Sequence, residues 1–340
     1  MGRRNHGTKN LQTKKVQPAS TSTTEQQSSH EFTDIDQLSS DLTKQINKEA
    51  GDAVAFNLGM EHTAPTEVKR WISTGSRLLD YVIANKRGGG LPEGRIVEIQ
   101  GPPGGGKSHL AFEIAKRTQK MGGLVIYFDT ENATSIDNLR KLGINVAKGF
   151  VFVQSNCTED IFKYAESAIL KTRQMAKDVP VTIIWDSIAG SAPKAELEGD
   201  YDQNTIGLQA RVLSKGIKKI ANIIGNQKVL FVLINQQRTK IGVMYGDPLT
   251  TPGGMSIPYA CSVRLKLSGV QPIKAGDMIR GITVDVAVIK NKVGYPHRRS
   301  TMNVMFGVGI NDDEQCFDII RQYCDTNKFV LYNGKRLKLD

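Results

Sequence analysis

The sequence predicts an α/β fold with a largely parallel, twisted central sheet and helices on both faces. Four near-continuous apolar runs are typical of strands that are buried on both sides, at 96–99, 124–128, 181–185 and 229–234. Amphipathic stretches between these runs predict helices near 109–120, 159–177 and 205–224. Further strand-like runs extend the sheet, partly in antiparallel fashion, at 262–267, 282–289 and 301–306.

The composition narrows the class of protein before any motif is considered. The 340 residues are more than one domain of about 150 residues needs, and they can bury a sizeable core. The formal charge of +11 indicates a polyanionic partner, nucleic acid before membrane. No apolar run is long enough to span a membrane, and the four cysteines lack the spacing of a metal site. We therefore expect a cytoplasmic protein with reduced thiols and no membrane partner.

Residues 101–108 carry a phosphate-binding motif. They read Gly-Pro-Pro-Gly-Gly-Gly-Lys-Ser and lie between a predicted strand and a helix-compatible stretch. Glycine backbone amides and a helix N-terminus can close around phosphate oxygens, while Lys107 adds a full charge and Ser108 can ligate Mg²⁺. A glycine-rich turn without a ligand is the alternative. Because strand, loop and helix occur together, the motif favours binding of a nucleoside triphosphate.

Polar residues follow three of the four apolar runs. Asp186 ends the third run and suits Mg²⁺ coordination or the ordering of water, although aspartate is also a common turn residue. Glu131 follows the second run and could orient or deprotonate an attacking water; Asp129 competes for that role. Gln236 follows the fourth run and could contact a γ-phosphate. These positions predict one crevice at the carboxyl ends of the strands.

Two polar segments, at 198–207 and 237–254, contain few core positions. Loops of that length inside a compact domain are usually functional or disordered. Basic residues follow the first segment at helical spacing and open the second, namely Arg211, Lys215, Lys218, Lys219, Arg238 and Lys240. Such residues beside glycine-rich loops suit a nucleic-acid backbone, and a solvated helix face is the alternative for the first four.

The N-terminal region predicts a tail followed by a helix. Residues 1–32 are polar and basic and cannot bury enough apolar surface to fold, so a disordered tail is expected. Apolar residues three and four apart predict a helix inside the segment 33–70, at Ile35, Leu38, Leu42 and Ile46. This helix needs a surface to pack on, in its own core or on a neighbouring subunit.

A series of short segments that runs in order through 71–310 is far more specific than any single motif. The segments are Ser73-Thr74-Gly75-Ser76, Leu79-Asp80, Gly90 to Ile99, the phosphate loop, Arg140 to Gly143, Asp186-Ser187, Pro193 to Gly199, Asn235-Gln236, Lys240 to Gly246, Gly253-Gly254, Ser262 to Leu265 and Lys290-Asn291-Lys292. With these segments the sequence resembles the RecA family of bacterial and phage DNA recombinases. The resemblance implies a RecA-type P-loop ATPase core. It also implies a recombinase that forms a helical filament on single-stranded DNA, pairs it with a homologous duplex, and hydrolyses ATP when DNA is bound.

The resemblance implies roles at the nucleotide. ATP and Mg²⁺ would be held by Gly101, Pro102, Pro103, Gly104, Gly105, Gly106, Lys107, Ser108, His109 and Asp186, with Ser108 and Asp186 at the metal. Glu131 would be the catalytic glutamate and Gln236 the γ-phosphate sensor. Lys290 and Lys292 would reach the ATP of a neighbouring subunit, so that hydrolysis would depend on assembly.

The resemblance also identifies 198–207 and 237–254 with the two DNA-binding loops of the family. The residues implied at DNA are Ile206 and Ile241, which would separate base triplets, and Arg211, Lys218, Arg238, Lys240, Gly253 and Gly254. The helix near 35–48 would pack on the adjacent subunit, and Tyr259 would lie in that interface.

Three departures from the family pattern accompany the resemblance. Asn138 stands where the family stacks a tyrosine on adenine, and Met255 and Pro258 replace polar or basic residues beside the second loop. The segment 311–340 is expected to be a truncated C-terminal extension. A RecA-fold hexameric helicase or DNA translocase is the alternative function, and a non-catalytic, ATP-gated DNA-binding regulator is a third. The Lys290 and Lys292 pair and the long second loop favour the recombinase.

Overall fold

The computed structural model describes residues 25–58, 66–200, 207–239, 249–313, 315–317, 329–332 and 335–338. The chain divides into two compact units between Glu67 and Val68. Within the described parts, no helix combines the length and the apolar character needed to cross a membrane.

The first unit contains helix α1 (Glu25–Ala50) and an extended segment that follows it. The helix begins eight residues before the predicted start at 33, inside the segment predicted as a tail. Glutamate and glutamine have good helix propensity, so the helix continues beyond the apolar stripe. The stripe itself is 42–65% exposed, at Ile35, Leu38, Leu42 and Ile46. Residues 1–24 lie outside the described residues.

The second unit alternates strands and helices from its start. The strands are β1 (Trp71–Ile72), β2 (Leu91–Pro92), β3 (Ile96–Gly101), β4 (Leu124–Asp129), β5 (Phe150–Gln154), β6 (Val181–Asp186), β7 (Val229–Gln236), β8 (Arg238–Thr239), β9 (Leu249–Thr250), β10 (Val263–Ala275), β11 (Met278–Asn291), β12 (Arg299–Met305), β13 (Gly309–Ile310), β14 (Phe329–Tyr332) and β15 (Lys335–Lys338). The helices are α2 (Arg77–Ala84), α3 (Lys107–Lys120), α4 (Ile136–Lys141), α5 (Thr158–Met175), α6 (Lys194–Leu197), α7 (Leu208–Asn226) and α8 (Ser256–Ala260).

Nine of these strands form one sheet in the order β13-β12-β11-β10-β3-β7-β6-β4-β5. The strands from β10 to β5 in that order pair in parallel, and β10 to β13 pair in antiparallel fashion. The predicted largely parallel sheet with antiparallel additions is therefore confirmed.

Helices cover both faces of the sheet. On one face α3 buries Leu110 and Ile114 against strand residues that include Val232. On the other face α5 and α7 bury Ile161 and Ile217 in a second apolar cluster. Because both faces are covered, the inner strands are apolar along their whole length, which is the pattern that made them visible in the sequence.

Two parts of the sheet differ from the prediction. Strand β5 was not predicted; it is an edge strand in which Val151 and Phe152 are 45% and 42% exposed, so it lacks the marks of a doubly buried strand. The hairpin of β10 and β11 extends beyond the predicted runs at 262–267 and 282–289. Its outer half is mostly exposed and mixes apolar residues such as Ile279 with polar ones such as Gln271, so it shows neither a continuous apolar run nor a regular alternation.

Candidate nucleotide-binding site

The phosphate loop joins β3 to α3 at the carboxyl edge of the sheet. Gly101 is the last residue of β3, and Lys107 is the first of α3. Gly104 and Gly106 have φ angles of 69° and 81°, which favour glycine because it has no Cβ. The start of α3 has no side-chain cap and no acidic residue in its first turn. Its backbone amides therefore suit an anionic ligand such as a phosphate.

Lys107 is buried within this loop. Its Nζ donates a hydrogen bond to the Pro102 carbonyl oxygen at 2.7 Å. Burial lowers the pKa of the Lys107 amine, while the carboxylates of Asp186 and Glu131 raise it. The next residues in the helix, Ser108 and His109, are half-buried, and burial lowers the pKa of His109. The amine is therefore placed to exchange a backbone carbonyl for a phosphate oxygen.

Asp186 lies at the end of β6, and two hydroxyl groups contact it. Tyr127 Oη donates to Asp186 Oδ2 at 2.6 Å, and the Ser108 hydroxyl also donates to this carboxylate. Burial raises the pKa of Asp186, and these two hydrogen bonds lower it. Asp186 and Ser108, the predicted metal ligands, are thus brought together. An oxygen-only pair of this kind suits Mg²⁺, which usually takes one or two protein ligands beside substrate phosphates.

The structure distinguishes Glu131 from its competitor Asp129. Both carboxylate oxygens of the buried Asp129 accept backbone amides at 3.0 Å, from Glu131 and from Thr134, so Asp129 shapes the turn after β4. The exposed Glu131 instead accepts from two side chains: Ser187 Oγ at 2.5 Å and Gln236 Nε2 at 2.7 Å. Of the two acids, Glu131 is the one that faces the crevice.

Gln236 is brought to this crevice as predicted from its position. It is the last residue of β7 and pairs in register with Gly101, where the phosphate loop begins. One side chain therefore lies between the phosphate loop and the predicted catalytic acid. Sequence analysis missed Tyr127 and Ser187 as partners in this site. A tyrosine in a buried strand, whose hydroxyl needs a partner, was the available signal for Tyr127.

Lys290 and Lys292 are not brought to the phosphate loop of their own chain. Lys290 pairs across the sheet with Arg264, which pairs with Glu98 in β3. Lys292 donates its backbone amide to Ser262, which bonds to Ile96 at the start of β3. The phosphate loop leaves the other end of β3, five residues or about 16 Å further along the strand.

The Lys290 side chain contacts helix α8 instead. Its Nζ donates to the carbonyl oxygens of Pro258 and Tyr259 at 2.6 and 3.0 Å. Burial, followed by the nearby charge of Lys292, lowers the pKa of Lys290. Tyr259 beside it is 70% exposed, as an interface residue would be in a free subunit.

Some of the predicted DNA-binding residues that the structure describes lie on helix α7 or on the turn that packs against it. Arg211, Lys215 and Lys218 are exposed on α7 at helical spacing, whereas Lys219 forms an ion pair with Glu166 at 2.6 Å. Gly253 and Gly254 have φ angles of 94° and 64° and pack against α7: a Cβ on Gly253 would lie 3.0 Å from Leu213, and one on Gly254 would lie 3.4 Å from Ala210. Arg238 begins the short strand β8, which pairs with β9. Ile206, Lys240 and Ile241 lie outside the described residues.

Comparisons with known proteins identify the family of the chain. The RecA N-terminal domain family matches residues 37–311. Protein RecA of Clostridium novyi is 36% identical over 275 residues, which are 81% of this chain and 75% of that protein. Protein RecA of Bacteroides thetaiotaomicron is 37% identical over 276 residues, 81% and 80% of the two chains, and that of Geobacter sulfurreducens is 37% identical over 296 residues, 86% and 84%. The chain belongs to the RecA family, whose members are ATP- and DNA-binding proteins of recombination and repair.

Proposed function

We propose that this protein is a DNA-dependent ATPase that forms a helical filament on single-stranded DNA and catalyses homologous pairing and strand exchange. Membership of the RecA family supports a role in recombination with ATP and DNA as ligands. The filament, the exchange reaction and the roles of individual residues are proposed in addition to what family membership shows.

The position of Lys290 and Lys292 is the observation that carries it. Measured along β3, Lys292 lies level with its first residue and Lys290 level with Glu98, about 16 and 10 Å from the end that leads into the phosphate loop. The phosphate loop and the lysine pair of one chain therefore cannot both contact the same nucleotide. If copies stack head to tail, the lysine end of one meets the phosphate-loop end of the next. Repetition of such a contact without closure generates a helix, and hydrolysis then depends on assembly.

The crevice supports hydrolysis at the phosphate-loop end. Bound ATP and Mg²⁺ would supply the reactive phosphoanhydride and its charge neutralisation. The phosphate loop would hold the phosphates, and Asp186 with Ser108 would hold the metal ion. Glu131 would orient and deprotonate the attacking water, and Gln236, now 2.7 Å from Glu131, would contact the γ-phosphate. His109 would line the site beside the loop.

Two surfaces support the DNA and assembly parts of the proposal. The exposed cations of α7 and the adjoining Gly253–Gly254 turn would contact the phosphates of the bound strand, together with Arg238. The exposed apolar stripe of α1, with the exposed Tyr259, would contact neighbouring subunits.

Electron microscopy with single-stranded DNA and a non-hydrolysable ATP analogue tests the architecture. We expect helical filaments that require both ligands; closed rings would instead indicate a helicase or translocase. Strand exchange is measured in parallel, by displacement of a labelled strand from a homologous duplex, with a heterologous duplex as control. If filaments form but no labelled strand is displaced, the proposed strand exchange is wrong and the proposed filament assembly still holds.

A further inference from the structure

Asn235 is a buried polar residue with an unusual position. It precedes Gln236 at the end of β7 and is fully buried. Successive side chains of a strand point to opposite faces, so Gln236 faces Glu131 while Asn235 faces away from the nucleotide crevice. Asn235 has no predicted role in nucleotide or DNA binding.

The Asn235 side-chain amide joins the sheet to the exit of the second DNA loop. Its Nδ2 donates to Glu98 Oε1 at 3.0 Å and to the Pro252 carbonyl oxygen at 3.1 Å. Both partners are acceptors only, so the amide cannot be turned over without facing oxygen against oxygen. Pro252 immediately precedes the glycine pair Gly253–Gly254, which packs on α7.

The sheet side of this contact is rigid. Glu98 is fully buried and accepts from Arg264 Nε at 2.5 Å, which ties β3 to β10. The Asn235 Oδ1 atom is buried and has no hydrogen-bond partner among the residues that the structure describes. A buried amide oxygen without a hydrogen-bond partner costs free energy of folding. This cost suggests that the two hydrogen bonds of Nδ2 serve a function.

We propose that Asn235 is the positioning residue that couples the nucleotide site to the second DNA loop. A shift of Gln236 toward a γ-phosphate moves the end of β7, and the adjacent Asn235 passes that shift to Pro252 through a single hydrogen bond. The Gly253–Gly254 turn then changes its position on α7, beside the basic residues. The inference rests on the proposed function, because it requires DNA binding that responds to nucleotide.

The test measures a coupling factor: the ratio of single-stranded DNA affinities with and without a non-hydrolysable ATP analogue. Asn235→Leu keeps the approximate shape of the side chain and removes both hydrogen bonds. We expect the coupling factor to fall at least about fivefold, within the range that such couplings usually span. The analogue affinity without DNA should stay within about threefold of wild type, because no atom of Asn235 faces the crevice. By linkage, the effect of DNA on analogue affinity should fall by the same factor.

Ser256→Ala is the matched control. It removes the bond from Ser256 Oγ to the Gly253 carbonyl oxygen, 3.2 Å long, in the same loop exit but with no link to β7. If Asn235 only stabilises the loop exit, both variants weaken DNA binding equally with and without analogue, and the coupling factor does not change. A second variant, Asn235→Ser, serves if the leucine variant unfolds at a lower temperature than wild type.

Three outcomes separate the claims. A reduced coupling factor in the Asn235 variants alone supports the inference. An unchanged factor in them, or an equal reduction in Ser256→Ala, overturns it and leaves the proposed function standing. A wild type whose DNA affinity does not respond to the analogue overturns both.

Discussion

The two edges of the parallel sheet carry opposite charges and use them in different ways. At the carboxyl edge, the carboxylates of Asp186 and Glu131 act on Lys107. At the amino edge, Lys69, Arg70, Arg173, Lys177 and Lys228 line one cavity with Glu93 and Asp178. Both edges contain ionisable groups that converge from distant parts of the sequence, so convergence alone does not separate a reactive site from a structural one.

The difference lies in how fully each group is bonded. Arg173 donates to the carbonyl oxygens of Gln227, Val179 and Lys228 at 2.8, 2.7 and 3.1 Å, and it thereby ties the end of α5 to the turn before β7. To meet a ligand, Arg173 would have to break these three hydrogen bonds together, whereas Lys107 would break one. Glu131, by contrast, is exposed and accepts from two side chains that can rotate away. We therefore expect the carboxyl edge to govern activity and the amino edge to govern stability.

The largest expected effect is that of Glu131→Gln. The amide keeps the shape of the side chain but cannot accept a proton, and loss of a general base usually lowers a rate by about 10²–10⁴-fold. ATP-dependent DNA binding should persist, because the phosphate loop is unchanged. The measurement is steady-state hydrolysis with single-stranded DNA.

Glu93→Gln at the amino edge makes the same chemical change and serves as the control. Its hydrolysis rate should equal that of wild type, and its thermal unfolding should change instead. A normal rate in Glu131→Gln would move the catalytic role to another acid. Slow hydrolysis in both variants would contradict the expectation that only the carboxyl edge governs activity.

The next effect is that of replacing Lys290 and Lys292 together by alanine. If these lysines act on the nucleotide of a neighbour, DNA-stimulated hydrolysis should fall to the level seen without DNA. Nucleotide binding by the monomer should survive, because the phosphate loop lies at the other end of β3. Lys69→Ala with Lys177→Ala removes two charges at the amino edge and should preserve the stimulation. Equal loss of monomer ATP binding in the Lys290 and Lys292 variant would reject action in trans.

The sequence predicts the fold and the phosphate loop better than it predicts the edge strand and the tertiary contacts around the site. Doubly buried strands and the phosphate loop have strong local patterns, so the sheet, Lys107 and Ser108 could be located from residue order. The edge strand β5 is half-exposed and has no such pattern. The choice between Asp129 and Glu131 depends on which carboxylate accepts the backbone amides of the turn after β4. Only the folded backbone determines those hydrogen bonds. Asn235 and the contact of Lys290 with α8 depend on tertiary proximity and have no local pattern.

A moderate loss of stability is expected for Arg70→Gln. Arg70 Nη1 lies 2.9 Å from Oε1 of the buried Glu93, and removal of this cation leaves the carboxylate with only the charges of Arg173 and Lys228. Loss of a partner of a buried charge costs about 3–5 kcal/mol, and the partial exposure of Arg70 reduces this to about 1–3 kcal/mol. The measurement is urea unfolding, and hydrolysis by the folded variant should be normal.

The pH dependence of the Arg70→Gln effect follows from Glu93. Burial raises the pKa of the Glu93 carboxyl above its ordinary value of 4.5, and Arg70 opposes that rise. Without Arg70 the pKa rises further. Since the folded state then holds its proton more tightly than the unfolded state, stability is lost as the pH rises through the folded-state pKa. The difference from wild type should therefore be largest at neutral pH and should shrink as the pH is lowered toward 4.5. A difference that grows on acidification would contradict this cause.

The smallest expected effect is a gain at the carboxyl edge, from Asn138→Tyr. Asn138 is exposed on α4, the helix that follows the turn of Glu131, and it offers little apolar surface for a base to stack on. Good aromatic stacking adds about 0.5–1.5 kcal/mol beyond burial, so ATP binding should tighten by up to roughly tenfold. Lys141→Tyr, one turn further along the exposed helix, controls for the added ring and should leave the affinity unchanged. The gain should also be smaller for a pyrimidine triphosphate than for ATP, because a single ring stacks less area. If both tyrosine variants bind ATP equally more tightly, the gain comes from non-specific apolar contact with the helix surface. If neither variant binds ATP more tightly, the adenine lies away from α4.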